Sequence, residues 1–279
     1  MNNSDFREKL RKSKSYIMKA LVYLATAITL VSMLYLIIYI LINGIPYING
    51  DLFAWKYNSQ NVSMTPAIIN TIIVVALTLV IAVPVGIAAA IYLVEYAKRG
   101  SKLVKVIRVT TETLAGIPSI VFGLFGFLSF VIAFKWGYSM LAGILTLAMM
   151  VLPTIIRTTE ESLIAVPDLF REGSYGLGAG KLRTIFLIVL PSAVPGILSG
   201  VILAIGESAA LIFTAGSMAA VPDSLFASTR TLAVHMYCLL SEGLYINQAY
   251  ATAVILLLII LIINGLSQIA AKKVSKGKQ

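Results

Sequence analysis

Long apolar runs broken by short polar intervals dominate this chain. A helix needs roughly 20 apolar residues to cross a bilayer. Six segments meet that length, near residues 20–42, 68–94, 117–134, 139–157, 194–215 and 250–271. Only Lys135-Trp136-Gly137 separates the third from the fourth. The first is apolar nearly all round and is expected at the periphery, against lipid. Pro84 and Gly86, followed by Ala88-Ala89-Ala90, mark a bend and a close approach in the second. Residues 102–115 have an amphipathic period, with Leu103, Val106, Ile107 and Leu114 set against Lys102, Lys105, Arg108 and Glu112. They predict a helix lying in the membrane interface. Gly116-Ile117-Pro118-Ser119 then signals a new helix start.

In the fifth run Gly196, Gly200, Ala204 and Ser208 recur every four residues, a smooth ridge for tight helix packing. Glu207 lies seven residues after Gly200 and so returns to nearly the same face. A mid-span carboxylate is costly in lipid and is expected to be paired, protonated or wet.

Composition and charge turn this pattern into a membrane topology. The 279 residues are 59% hydrophobic and 12% charged, too apolar for a soluble domain. Of the 22 Lys and Arg, all but Lys56, Lys135 and Arg230 fall in the leader, the 98–108 interval, the 157–193 loop or the tail. The positive-inside rule therefore predicts both termini in the cytosol. The net charge of +10 follows from this asymmetry and from anionic headgroups, not from nucleic-acid binding. The predicted organisation is a basic leader (1–19), a peripheral span (20–42), a five-span domain (65–271) with a cytosolic loop at 160–193, and a basic tail (272–279). The leader resembles a signal peptide, but its apolar run is too long and has no A-x-A-like cleavage site. Single residues Cys238 and His235 offer neither a disulfide nor a metal cluster, and both are expected to be packing residues.

The polar interval between the fourth and fifth runs is the chain's most specific segment. Gly176-Leu177-Gly178-Ala179-Gly180-Lys181 resembles a phosphate-cradling loop but has Tyr175 and Leu182 where that motif needs Gly and Ser or Thr. Nucleotide binding is rejected here. The spacing Glu172-Gly173-Ser174, then Gly178, then Ile188, Leu190 and Pro191 resembles the "EAA" loop of ABC importer permeases, with Gly173 and Ser174 in place of the two alanines. Leu114–Gly123, Arg157–Leu163, Leu177–Ala179, Ala204–Ala209 and Thr231–His235 together resemble the PstA-type permeases of phosphate importers over roughly 65–271.

That resemblance implies an all-α membrane protein of the type I importer (MetI-like) fold with six spans. It would sit in a bacterial or archaeal cytoplasmic membrane. The chain would be a non-catalytic permease subunit supplying half of a phosphate pathway. Its loop would dock as a coupling helix on a cytosolic ATPase, Glu172 meeting donors there and a cysteine at Ser174 cross-linking to it. The implied partners are a PstC-type permease, two PstB-type ATPases holding ATP and Mg, and a PstS-type phosphate-binding protein. No cofactor is expected on this chain. Candidate pathway residues are Glu207, Arg157, Glu160, Glu161 and Ser119. Arg157 has two readings, pathway cation or interfacial anchor. Two other readings stay open: another cargo (sulfate, molybdate or an amino acid), or a transporter working without ATP.

Overall fold

The computed structural model describes residues 3–98, 100–194, 197 and 209–276. Among them every regular element is helical, and no strand occurs. Helix α1 (Asn3–Gly44) is apolar nearly all round over residues 20–42, so no face is selected for burial, and residues 14–36 stand exposed. Its C-terminal end packs on α10 (Ile246–Lys276): Tyr39 meets Tyr250 edge to face at 5.9 Å, and a side chain on Gly44 would strike the Tyr250 carbonyl.

The core forms between α2 (Thr65–Ile91) and α5 (Met140–Ile164). Val74 and Ala82 of α2 pack against Ile144, Leu147, Val151 and Ile155 of α5, together with Leu211, Ala215 and Val234. Gly86 lets the two helices touch, since a Cβ there would lie 2.6 Å from the Ile155 side chain. Pro84 does not end α2, which runs on to Ile91 and then relaxes into a π turn at Tyr92–Tyr96.

Residues 102–115 form α3 (Lys102–Ala115), the range their periodicity predicts. Its buried position is Val104, packed with Leu93 and Ile156, whereas Leu103 and Val106 stay exposed. A sharp elbow follows: α3 and the Ser119–Ala133 stretch meet at a 99° bend. That stretch comprises α4 (Ser119–Gly126) and a π run (Phe127–Ala133). Its Pro118 cannot supply an amide to prolong α3, which ends at Ala115.

Four described helices are long and apolar enough to cross a membrane, and a fifth is reached only when the bent pair is taken as one span. Most of the fifth expected span, 194–215, lies outside the described residues. Its far end is the short α8 (Ala209–Ile212), followed by α9 (Leu232–Glu242). Helix α5 also outlasts its predicted end at 157. Arg157 pairs with Glu161 one turn on, and Glu160 with Arg108 of α3, so the polar sequence continues the helix instead of ending it.

Candidate functional site: the Glu172 loop and the two ends of α2

Pro167 breaks the chain after α5 and starts α6 (Asp168–Gly176), with Asp168 in the first turn where an acid suits the helix dipole. Glu172 and Gly173 lie on the exposed side. A Cβ at Gly173 would meet nothing within 4 Å, so alanine would fit there. Gly178 is different: its φ of +81° puts it in the left-handed region, where the turn after α6 requires glycine.

Ser174 faces inward, contrary to its expected place at a docking surface. It is 5% exposed, and its hydroxyl hydrogen-bonds that of Thr184 at 2.8 Å, tying α6 to α7 (Lys181–Thr184). Ile188, Leu190 and Pro191 are half-buried below the loop, and the neighbouring Ile185 and Val189 are fully buried. These two pack with Ala90, Ile91, Leu163 and Val166 into a plug joining the loop to α2 and α5. Ile188 instead lines a cleft of about 390 Å³ with Ser174, Leu177, Gly178 and Arg183. Large apolar side chains stand on the outer face of the loop, Leu169, Phe170, Leu182 and the 91% exposed Leu177, beside the exposed Asp168, Glu172, Lys181 and Arg183.

Arg171 was passed over in favour of its neighbour Glu172, yet it is the loop's most connected side chain. Its Nε and Nη2 donate to Glu95 Oε1 at 3.0 and 2.9 Å, its Nη1 to Val166 O at 2.7 Å, and its Nη2 to Leu163 O at 2.8 Å. Asp168 Oδ1 adds a fifth contact at 3.2 Å. The Leu163 carbonyl lies in the last turn of α5 and also accepts from Val166 N at 3.4 Å, and the Val166 carbonyl lies just past that end, where helix geometry leaves such groups short of partners. Lys181 Nζ donates to the Glu95 carbonyl and sits 4.6 Å over the Tyr96 ring. Beside this joint opens a cavity of about 560 Å³ lined by Lys98, Val104, Arg108 and Arg171, among others.

The remaining candidates are scattered. Arg157 is half-exposed, binding Glu161 at 3.0 Å with Glu112 at 3.9 Å. Glu160 instead takes Arg108 Nε at 2.6 Å and is largely buried. Ser119 is half-buried at the start of α4. Glu207 and the ridge Gly196, Gly200, Ala204 and Ser208 lie outside the described residues.

At the other end of α2 the structure assembles a cluster that spacing did not disclose. Arg230 is 8% exposed; its Nε donates to Ser217 O at 2.7 Å and its Nη1 to His235 Nδ1 at 3.3 Å, with the Tyr57 ring 5.4 Å away. Asn70 and Thr71 of α2 hold its surroundings, through Asn70 Nδ2 to Arg230 O and Leu232 N to Thr71 Oγ1. Among the described residues no carboxylate pairs with this cation. An arginine can only donate, so His235 accepts at Nδ1 and carries its proton on Nε2. Burial, then the adjacent Arg230 charge, pulls the His235 pKa down to about 4, against a smaller upward pull from the Val62 carbonyl. His235 therefore has a partner after all. Among the described residues the buried Thr229 and Thr231 hydroxyls that flank Arg230 have no hydrogen-bond partners.

A paired α2–α5 core, a bent α3–α4 pair and a short braced loop helix, with four helices long and apolar enough to cross a membrane, define a multi-pass helical membrane protein. An alginate ABC transporter, solved with a pentasaccharide-bound periplasmic protein, contains a chain matching 93% of this one and 96% of itself, with TM-score 0.64 at 17% identity. The family model "binding-protein-dependent transport system inner membrane component" matches residues 82–276, and the chain belongs to that family. Its relatives include the phosphate transport system permease protein PstA of Pasteurella multocida, 37% identical over 77% of this chain and 78% of the relative. Another is the probable ABC transporter permease YqgI of Bacillus subtilis, 32% identical over 74% and 76% respectively.

Proposed function

We propose that this chain is a permease subunit of an ATP-driven phosphate importer in a bacterial or archaeal cytoplasmic membrane. The single observation that carries the reading is the Glu172 loop: a short helix fixed from below by Arg171 and Ser174, with large apolar side chains turned outward. Such a surface fits a soluble partner, and the charge bias puts it in the cytosol with both termini. Six spans result when 194–215 is counted as the fifth. The loop docks on one of two PstB-type ATPases, which hold ATP and Mg; this chain binds no cofactor and performs no bond chemistry. A PstC-type permease completes the pathway, and a PstS-type protein delivers phosphate from outside.

The likeness to PstA supports phosphate as cargo. Arg230 supports an anion independently, as a buried cation whose contacts among the described residues are all neutral. Arg157, bound to two carboxylates and half-exposed, fits an interfacial anchor better than a pathway cation. The α6 face is read with Leu177 and Phe170 as the contacts instead of Ser174.

The test is phosphate uptake in cells lacking this chain. Loss of ATP-dependent uptake, restored by the wild-type chain, is expected. Loss of sulfate, molybdate or amino-acid uptake with phosphate uptake intact would replace the cargo. Uptake that survives ATP depletion but stops with an uncoupler would overturn the ATP-driven reading.

A further inference from the structure

The Glu95–Arg171 pair joins residues 76 positions apart and has side-chain exposures of 7% and 12%. It stands where three elements end: the π turn closing α2, the last carbonyls of α5, and the first turns of α6. From this we infer that the ion pair is the rigid link through which displacement of α6 moves the end of α2. The inference rests on the proposed reading of α6 as the ATPase-docking helix.

Three physical features make this joint a strut instead of a local staple. The guanidinium is a planar fork with fixed donor directions, and here it is satisfied by contacts on α2, α5 and α6 at once. Tilting α6 alone would strip hydrogen bonds from a buried cation and a buried carboxylate together, so the pair resists shear far more than an exposed ion pair does. Lys181 fastens the same turn of α2 from the other side of the loop, through the Glu95 carbonyl and the Tyr96 ring. Between these two cations lies the apolar plug of Ala90, Ile91, Leu163 and Ile185, which has no room to yield. The π turn is the compliant part: its wider turn leaves the last residues of α2 free to re-register while α2 above remains packed on α5. A push on α6 is thus carried into the π turn at the end of α2 without passing through the exposed loop.

The experiment compares Glu95→Gln, Glu95→Ala and Glu95→Asp in the assembled transporter reconstituted in liposomes. ATP hydrolysis, phosphate uptake and cross-linking of a cysteine at Leu177 to the ATPase are read together. For Glu95→Ala, hydrolysis within twofold of wild type, an intact cross-link and at least a tenfold fall in phosphate moved per ATP are expected. Glu95→Gln should lie between, and Glu95→Asp should recover most of the coupling. An equal fall in hydrolysis and uptake, or unchanged coupling in Glu95→Ala, would overturn the strut. Should Glu95→Ala fail to assemble, Lys181→Met serves in its place, since Lys181 is exposed; unchanged phosphate per ATP in that variant would overturn the strut. Absence of the Leu177 cross-link in the wild-type complex would instead remove the docking reading, and the strut with it. Spin labels at Tyr92 and Leu177, both exposed, give a second readout. Their separation should stay fixed between nucleotide states in the wild type and vary in Glu95→Ala.

Discussion

Two arginines are buried at opposite ends of α2, and they are held in opposite ways. Arg171 meets two carboxylates and two backbone carbonyls. Arg230 meets one carbonyl, one neutral imidazole and an aromatic face. The first arrangement cancels charge and fixes position, which suits a joint that must transmit force. The second fixes position and, among the described residues, leaves the positive charge uncancelled, which suits a surface that must attract an anion. Burial alone does not reveal the purpose of a charged residue; its partners do.

The largest test of this contrast is Arg171→Met. It leaves Glu95 buried without a counter-charge and removes a donor from the Val166 and Leu163 carbonyls, so it should cost about 3–5 kcal/mol, read as thermal unfolding of the purified chain in detergent. A loss under about 1 kcal/mol would show that water already enters the joint.

The His235 titration probes the other end of α2. Its pKa falls from 6.5 to about 4 on folding, so the native state resists a proton that the unfolded chain accepts. The associated stability is complete above pH 6.5 and drains away as the pH falls toward 4, by about 3 kcal/mol at most. Unfolding followed between pH 7.5 and 4.5 should show that slope in the wild type and lose it in His235→Gln.

Arg230→Met should cost less than Arg171→Met, about 1–3 kcal/mol, because only a carbonyl and an imidazole lose a donor. Phosphate uptake, however, should fall several-fold with assembly intact. Uptake at the wild-type rate would equate the two arginines as structural posts.

The smallest effects separate two glycines on the Arg171 side. Gly178→Ala forces a side chain into φ +81° and should cost about 1–2 kcal/mol. Gly173→Ala sits within α6 with open space around it and should stabilise the chain by up to about 1 kcal/mol. Melting temperatures of the pair should move in opposite directions.

Periodic features were legible in the sequence, and pairings across the fold were not. Residues 102–115 advertise their helix because their polar and apolar positions alternate at helical spacing, and α3 occupies that range. The loop helix was equally visible between two apolar runs. The end of α5 was misplaced because Arg157 to Glu161 looks like an exit from the membrane, while ion pairs within α5 and to α3 prolong it. Arg171 was overlooked because Glu95 stands in a different polar interval, and no spacing rule links the two. Ser174 was assigned outward on its place in the motif, although its partner Thr184 ten residues later turns it inward. His235 seemed partnerless because Arg230 precedes α9 and shares no helical face with it.

The elbow between α3 and α4 has a consequence for how the protein sits in its lipid. A helix turned through 99° from its continuation cannot run through the bilayer alongside it. With Leu103, Val106 and Val109 exposed beside Lys102 and Lys105, α3 instead floats at the headgroup level and fixes a waterline for the chain. Because Val104 and Arg108 fasten this float to α2 and α5, bilayer thickness and headgroup charge bear directly on the parts that move during transport.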